Sequence, residues 1–286
     1  MNNIELSTVY LPILDEVYKE ESKTSILDGD ETTVKKGNNG EIKIAKLDMD
    51  ALGDFDRNTG YTKGSTSFVW ETVKYDKERS QELRIDRLDN EEALKAPFAK
   101  LSGEFLRTKV IPETDAARFA KIASAENIGS SAETLSTGEQ VVASLRKTIA
   151  AMDDAEVPTE SRILFITSTN LGLIEDLDTT KSKKVLEGFS NIIKVPQGRF
   201  YTAVTLASGT DGYGFKKADD GYPLNYMVVE KSAAVTAMDQ YIKYFTPDQD
   251  QSGDDHVFKY RNNNLYGHCY ENKRAGIHAS YDTAAQ

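Results

Sequence analysis

Residues 41–86 limit what this chain can become more than any other stretch, because they read as a ribbon with apolar side chains on both faces. EIKIAKL at 41–47 alternates Ile42 and Ile44 against Lys43, the period of a strand. A return strand is expected over about 66–86, through Phe68, Val69, Trp70, Val73, Tyr75, Leu83 and Ile85. Between them GDFDRNTGYTKG at 53–64 holds three glycines, an asparagine and two aspartates, the chemistry of a turn-rich tip. An isolated two-stranded ribbon is marginal in water. Here Phe68 and Trp70 fall on one face and Val69, Val73 and Tyr75 on the other. Burying a large apolar side chain contributes roughly 1.5–3 kcal/mol, so both faces need cover. The chain's own body or a neighbouring copy can supply it.

The rest of the chain is organised around that ribbon. Residues 1–40 carry a short apolar segment (Val9, Leu11, Ile13, Leu14, Val17, Tyr18) and then a polar stretch from Glu20 to Gly40, read as an arm and not as a core element. Asp89 and Glu92 have capping-box spacing. Leu94, Phe98, Leu101 and Phe105 follow as the apolar stripe of a helix, which Pro112 should kink. Ala116, Phe119, Ala120 and Ile122 continue it to about Glu126. From 129 to 232 the pattern is mixed α/β. Thr137 and Gln140 open a helix with Val141, Leu145 and Ile149 on one face, RILFIT at 162–167 is a buried strand, and Thr169 is placed to cap a short helix. RFYTAV at 199–204 and NYMVV at 225–229 are expected strands joined by a glycine-rich loop at 207–224. A helix carrying Val235, Met238, Tyr241 and Ile242 is expected after Ser232, then a polar loop at 246–256 and short strands through Tyr260, Tyr266, Tyr270 and Ile277.

Composition narrows the function classes. The 286 residues are 39 % hydrophobic and 28 % charged, ordinary for a globular protein with a proper core. No apolar run reaches the roughly 18 residues of a membrane span, and Met1 to Glu5 lack the features of a secretory signal, so a cytoplasmic product is expected. A single cysteine, Cys269, forbids an intrachain disulfide and is expected as a partly buried strand residue. The net charge of −11, without a dense basic block, argues against a protein that grips nucleic acid, though an acidic wall can enclose DNA.

Motifs of chemistry are weak throughout. Asp248, Asp250, Ser252 and Gly253 start like a calcium loop, but Lys259 stands where a bidentate glutamate is required. His256, His268 and His278 are the only histidines, and no second cysteine completes a zinc site beside Cys269. Gly212-Tyr213-Gly214 has Lys217 in place of the third glycine of a dinucleotide fingerprint. Asp153-Asp154 and Asp219-Asp220 lie in turn-like polar stretches, and Lys74-Tyr75 and Lys259-Tyr260-Arg261 read as strand surface rather than base-stacking platforms. No catalytic residue, cofactor or metal is expected.

Four segments in order resemble the major capsid proteins of tailed phages and prophages of Gram-positive bacteria: KIAKLDMDALGDFDRNTGY at 43–61, DKER at 76–79 with LRIDRLDNEEA at 83–93, GEFLRTKVIPETDAARFAKIA at 103–123, and YRNNNLYGHCYENKRAGIHASYD at 260–282. The resemblance implies an α+β fold of the Hong Kong 97 type. It divides the chain into an N-terminal arm (1–40), an extended β-hairpin loop (41–88), a spine helix in a peripheral domain (89–128), an axial domain (129–232) and return strands to the peripheral domain (233–286). On that reading the ribbon lies over a neighbouring subunit, with Phe55, Arg57, Tyr61, Lys63, Phe68, Trp70, Val73, Tyr75 and Arg79 as inter-subunit contacts. The partners implied are further copies in pentamers and hexamers, a scaffold protein, a portal, and enclosed double-stranded DNA bound without sequence preference, with no membrane. Some members of the fold cross-link through a loop lysine; Lys63 alone does not imply that here. A cellular nanocompartment shell of the encapsulin type and a soluble mixed α/β enzyme are the competing classes, the latter resting on the 207–224 loop.

Overall fold

A computed structural model describes residues 22–30, 34–36, 41–55, 57–58, 60–86, 103–177, 179–210, 212–249 and 253–284. In chain order the strands are β1 (Val34–Lys36), β2 (Glu41–Met49), β3 (Thr66–Lys74), β4 (Lys77–Asp86), β5 (Gly129–Ala132), β6 (Arg162–Thr167), β7 (Asn191–Val195), β8 (Val204–Leu206), β9 (Phe215–Lys217), β10 (Leu224–Glu230), β11 (Ala234–Phe245), β12 (Asp255–Cys269) and β13 (Ile277–Tyr281). The α-helices are α1 (Ile111–Ala123), α2 (Gly138–Asp154), α3 (Ser168–Asp176) and α4 (Thr180–Leu186). They build a five-stranded sheet ordered β5-β13-β10-β6-β7, two three-stranded sheets, β11-β12-β4 and β1-β2-β3, and the small pair β8-β9.

The five-stranded sheet is covered on both faces, which is why RILFIT has no polar alternation. Ile163 and Phe165 point to one core with Phe119 of α1, Phe200, Met227 and Val229; Leu164 and Ile166 point to the other, under α2, α3 and α4. Phe119 meets Phe165 and Phe200 edge-on at 5.2 and 4.8 Å. The expected capping box holds: Thr137 Oγ1 accepts from the Gln140 amide, and the Gln140 side chain accepts from the Thr137 amide. In α3 the cap is Thr167, not Thr169; its Oγ1 accepts from Asn170 N at 3.3 Å.

Four expectations about elements are corrected. Val235, Met238, Tyr241 and Ile242 belong to strand β11, paired with β12 from Ala234↔Cys269 to Phe245↔Val257. The helical spacing is fortuitous: Val235 joins the cluster around Ile42 and Ile242 the cluster around Phe258, so apolar residues on both faces of one strand mimic a helical period, and the Val, Thr, Tyr, Ile and Phe content suits a strand. RFYTAV is not a strand: Gln197–Arg199 form a 3-10 turn, Phe200 is a buried core plug, Tyr201 makes one isolated bridge to Pro223, and a strand begins only at Val204. The return strand of the ribbon stops at Lys74, and β4 joins β12 in another sheet. The tail is one 15-residue strand, β12, followed by β13, rather than several short ones.

The polar stretch after Glu20 also enters the core. Leu27 and Thr24 are buried, and the fully buried Asp115 carboxylate of α1 accepts from Ser22 Oγ (2.8 Å), Thr24 Oγ1 (2.6 Å) and the amides of Lys23 and Thr24. Arg199 reaches the same carboxylate at 3.0 Å, and the fully buried Arg118 pairs with Asp28 at 2.7 Å. Buried charges need such partners, and polarity alone concealed the docking. The expected helix start at Asp89 and the stripe residues Leu94, Phe98 and Leu101 lie outside the described residues. Phe105 is described and packs on Tyr260. Pro112 does not kink a continuous α-helix; a π-helical turn at Leu106–Val110 precedes it and places it in the first turn of α1, where its missing N–H costs little.

Candidate inter-subunit surface

β2 and β3 form a hairpin nine residues long, in register from Glu41↔Lys74 to Met49↔Thr66. At about 3.4 Å per residue it spans roughly 30 Å. Its two ends differ in character. At the base, β1 adds a third strand, and Ile42 and Ile44, each 1 % exposed, pack with Val73, Tyr75, Val235 and Leu265. Tyr75 donates to Asp239 Oδ2 at 2.5 Å; burial, reinforced by that carboxylate, pushes its hydroxyl pKa well above the usual tyrosine value. The corner is held by Asp76, which accepts from the Tyr266 amide at 2.9 Å and pairs with Lys121 at 3.2 Å.

The far end has no such support. Met49, Leu52, Phe55, Tyr61, Phe68 and Val69 are all exposed, with Tyr61 at 89 %, Phe68 at 58 % and Val69 at 55 %. Phe68 and Trp70 share one face in an edge-on contact at 5.6 Å, and Lys35 lies 4.3 Å above the Trp70 ring. Val69 stands on the opposite face. The tip is nevertheless ordered by its own bonds: Ser65 N donates to Asp50 Oδ2 (2.7 Å), Thr62 Oγ1 donates to Asp54 O (3.2 Å), and Phe55 and Tyr61 meet edge-on at 5.2 Å. Gly60 sits at φ +84°, a conformation that favours glycine.

The nine expected contact residues therefore fall into two groups. Phe55, Arg57, Tyr61, Lys63 and Phe68 lie exposed on the distal hairpin, with Trp70 half-buried beside them. Val73 and Tyr75 are used inside the chain at the base, and Arg79 is pinned in β4. Arg79 makes a two-pronged pair with Glu113 (2.7 and 3.1 Å) and donates to Ala207 O at 2.6 Å; the Glu113 bond raises the guanidinium pKa further. Met49 and Leu52 belong to the exposed surface and were not anticipated; the signal was a pair of apolar residues just before the turn-rich run at 53–64.

A second surface feature was also not anticipated. Arg79 lies along a groove of about 540 Å³ between β4, the π-helical turn and the β8-β9 hairpin. Leu83, Phe105, Val110, Tyr260 and Phe215 make it apolar, and Asn262 lies on its lining. Asn262 is 2 % exposed; its Nδ2 donates to Tyr260 Oη at 3.1 Å, while its Oδ1 accepts no hydrogen bond.

Sites of chemistry stay thin. Among the described residues no three His, Cys, Asp or Glu side chains are grouped to hold a metal ion. Asp250 and Ser252 of the calcium-like run lie outside the described residues. Burial lowers the pKa of His268 and His278 and pushes the Cys269 thiol up to about 11, away from thiolate reactivity. Gly212-Tyr213-Gly214 is the tip of the β8-β9 hairpin and precedes no helix. Arg261 stacks on Tyr241 at 4.9 Å and pairs with Glu78, and Lys259 pairs with Glu82, so both belong to a cross-strand charge ladder. No described helix is long and apolar enough to cross a membrane.

No family model and no curated protein matches the chain. Solved structures do. The mature capsid of bacteriophage PhiM1 aligns with a TM-score of 0.58 at 12 % identity, over 88 % of this chain and 84 % of that one. The capsid of cyanophage P-SCSP1u aligns with 0.56 at 14 % identity, over 87 % and 85 %. A virus-like particle from Pyrococcus furiosus aligns with 0.55 at 10 % identity, over 95 % and 99 %. The fold is that of the phage capsid proteins, the Hong Kong 97-like α+β fold.

Proposed function

We propose that this chain is a structural shell subunit, the major capsid protein of a tailed phage, and that it acts by assembling with copies of itself. The observation that carries this is the distal hairpin: six large apolar side chains stand in solvent on an ordered arm of a protein with a capsid fold. Exposed apolar surface of this kind marks an interaction site. A hairpin that reaches away from its own body gives a heterologous contact, in which one patch binds a different patch on the next copy, and such contacts close into rings. Pentamers and hexamers are the rings an icosahedral head requires. In this scheme residues 22–40 belong to the N-terminal arm, 41–88 to the extended loop, 129–232 to the axial domain, and α1 with β11 and β12 to the peripheral domain. The contact residues are Phe55, Arg57, Tyr61, Lys63, Phe68 and Trp70. The shell would enclose double-stranded DNA and be nucleated with a scaffold and portal, in the host cytoplasm, and its role is mechanical rather than catalytic.

Expression of the full chain followed by size-exclusion chromatography and negative-stain microscopy tests this: capsomers or closed particles are expected, and a stable monomer under all assembly conditions overturns it. A second reading is a cellular nanocompartment shell, which the same fold and the same exposed hairpin would serve equally well. Mass spectrometry of particles isolated from the native source separates the two, since a cargo enzyme supports the compartment and packaged DNA with a portal supports the virion.

A further inference from the structure

The groove beside Arg79 has the makings of a binding site that the shell reading leaves unused. Its volume of about 540 Å³ falls within the roughly 300–1,000 Å³ of sites that take small molecules. One wall is β4 with the π-helical turn and Tyr260 of β12, and the other is the β8-β9 hairpin. Leu83, Phe105 and Phe215 line these walls only half-buried, and Tyr213, at the tip of the β8-β9 hairpin, is 77 % exposed. Phe105 and Tyr260 meet edge-on at 5.8 Å, so one wall offers a pair of rings and the opposite wall offers two more.

The charge of the groove is unbalanced. Among the described residues that line it, Arg79, Glu113 and Lys109 carry charge. Arg79 and Glu113 cancel in their two-pronged pair at 2.7 and 3.1 Å. Glu104, the other carboxylate near Lys109 in the chain, is taken by Arg107 at 2.6 Å. The Lys109 ammonium pairs with no carboxylate among the described residues, so the groove holds one uncompensated positive charge in a chain of net charge −11. Beside apolar walls that charge acts through a lower effective dielectric than water. We propose that the groove binds a small amphipathic monoanion, a flat aromatic body bearing one carboxylate or sulfonate. The rings lie against Phe105, Tyr260 and Phe215, and the acidic group meets Lys109. Flat rings suit this lining because aromatic pairs stack offset or edge-on. A nucleotide suits it poorly, since its phosphates bring several charges to a single ammonium. Arg79 spans the two walls through Glu113 and Ala207 O, so a molecule seated beside it fastens the β8-β9 hairpin to β4.

The inference concerns the free subunit and goes beyond the shell reading, which stands or falls on assembly. Anilinonaphthalene sulfonate, whose emission rises in apolar surroundings, is titrated into the full chain below the concentration at which it assembles. The exposed hairpin also attracts such a probe, so the location of binding decides. Saturable binding is expected, with hydrogen exchange slowed in segments 79–83, 105–113 and 207–215. Lys109→Glu should raise the Kd roughly tenfold, and Lys109→Arg should restore it. Tyr213→Ala should weaken binding severalfold, and Phe68→Ser should leave it unchanged. Lys109 and Tyr213 are exposed, so an unaltered unfolding temperature in their variants separates lost binding from lost folding. Absence of saturable binding overturns the proposal. So does protection confined to 41–70, or a Kd that Lys109→Glu leaves unchanged.

Discussion

β6 and β3 are strands of similar apolar character with opposite fates. RILFIT is buried along its whole length between two layers, whereas TSFVWETVK keeps Phe68 and Val69 in water on opposite faces. Local sequence does not separate them, since both are rich in β-branched and aromatic residues. What separates them is where the chain puts the next layer. Around β6, the amphipathic helices α1 and α2, which precede it in the same chain, cover each face. Around β3, the chain supplies cover only as far as Val73, where Ile42, Val235 and Leu265 close over the base. Beyond that point no described residue closes over Phe68 and Val69, and in the proposed shell a second copy supplies the layer.

The contrast can be broken most forcefully by truncating one residue from each strand. Phe165→Ala should destabilise the free subunit by about 3–5 kcal/mol, because the fully buried ring leaves a cavity against Phe119. Phe68→Ser should change subunit stability by less than about 0.5 kcal/mol and yet prevent assembly. Denaturant unfolding and sedimentation of both variants give the comparison, and a large stability loss from Phe68→Ser would show that β3 is already covered by its own chain.

The interior can be probed next through its charges. Asp115→Ala strands Arg199 and two amides in a buried site and should cost about 3–5 kcal/mol, releasing segment 22–28 first in hydrogen exchange. A smaller effect is expected from Tyr226→Phe. The Tyr226 hydroxyl, whose pKa is pushed up to about 12 by burial, bonds Ser144 and Thr148 at 2.6 and 2.9 Å, so its loss should cost about 1 kcal/mol in the same unfolding assay.

The mildest expectation concerns pH. His268 and His278 are held below the ordinary histidine value of 6.5, chiefly by burial. Their folded pKa values are depressed, so the unfolded chain binds more protons as the pH drops below that value. Their contribution is fully present above pH 6.5 and is lost as the pH falls through the folded values. Thermal unfolding across pH 7.5 to 5 checks this: His278→Gln should flatten part of the fall, and an unchanged slope in that variant contradicts the assignment.

How much of this could be read from the residues follows the same division. Elements marked by a local pattern were legible: the Thr137–Gln140 capping box, the buried RILFIT run, and the alternation of Ile42 and Ile44. Elements defined by distant pairing were not. β11 imitated a helix because its apolar residues sit on both faces of one strand, and β4 reads as part of the ribbon because nothing before Asp76 announces the switch to another sheet. The docking of Ser22 to Asp28 was hidden because its partners, Asp115 and Arg118, lie about ninety residues away. The hairpin surface was legible as a deficit of cover, while the groove was not, since it is assembled from four separated segments around a single asparagine.

Trp70 is the only tryptophan in the chain, and it stands where the cover ends. Its fluorescence, followed with acrylamide quenching as subunits assemble, therefore reports the central event without any substitution. Assembly should shift the emission to the blue and cut the quenching severalfold as the neighbouring copy closes over Phe68 and Trp70. Particles that form while Trp70 stays as red-shifted and as readily quenched as in the free subunit would contradict the account.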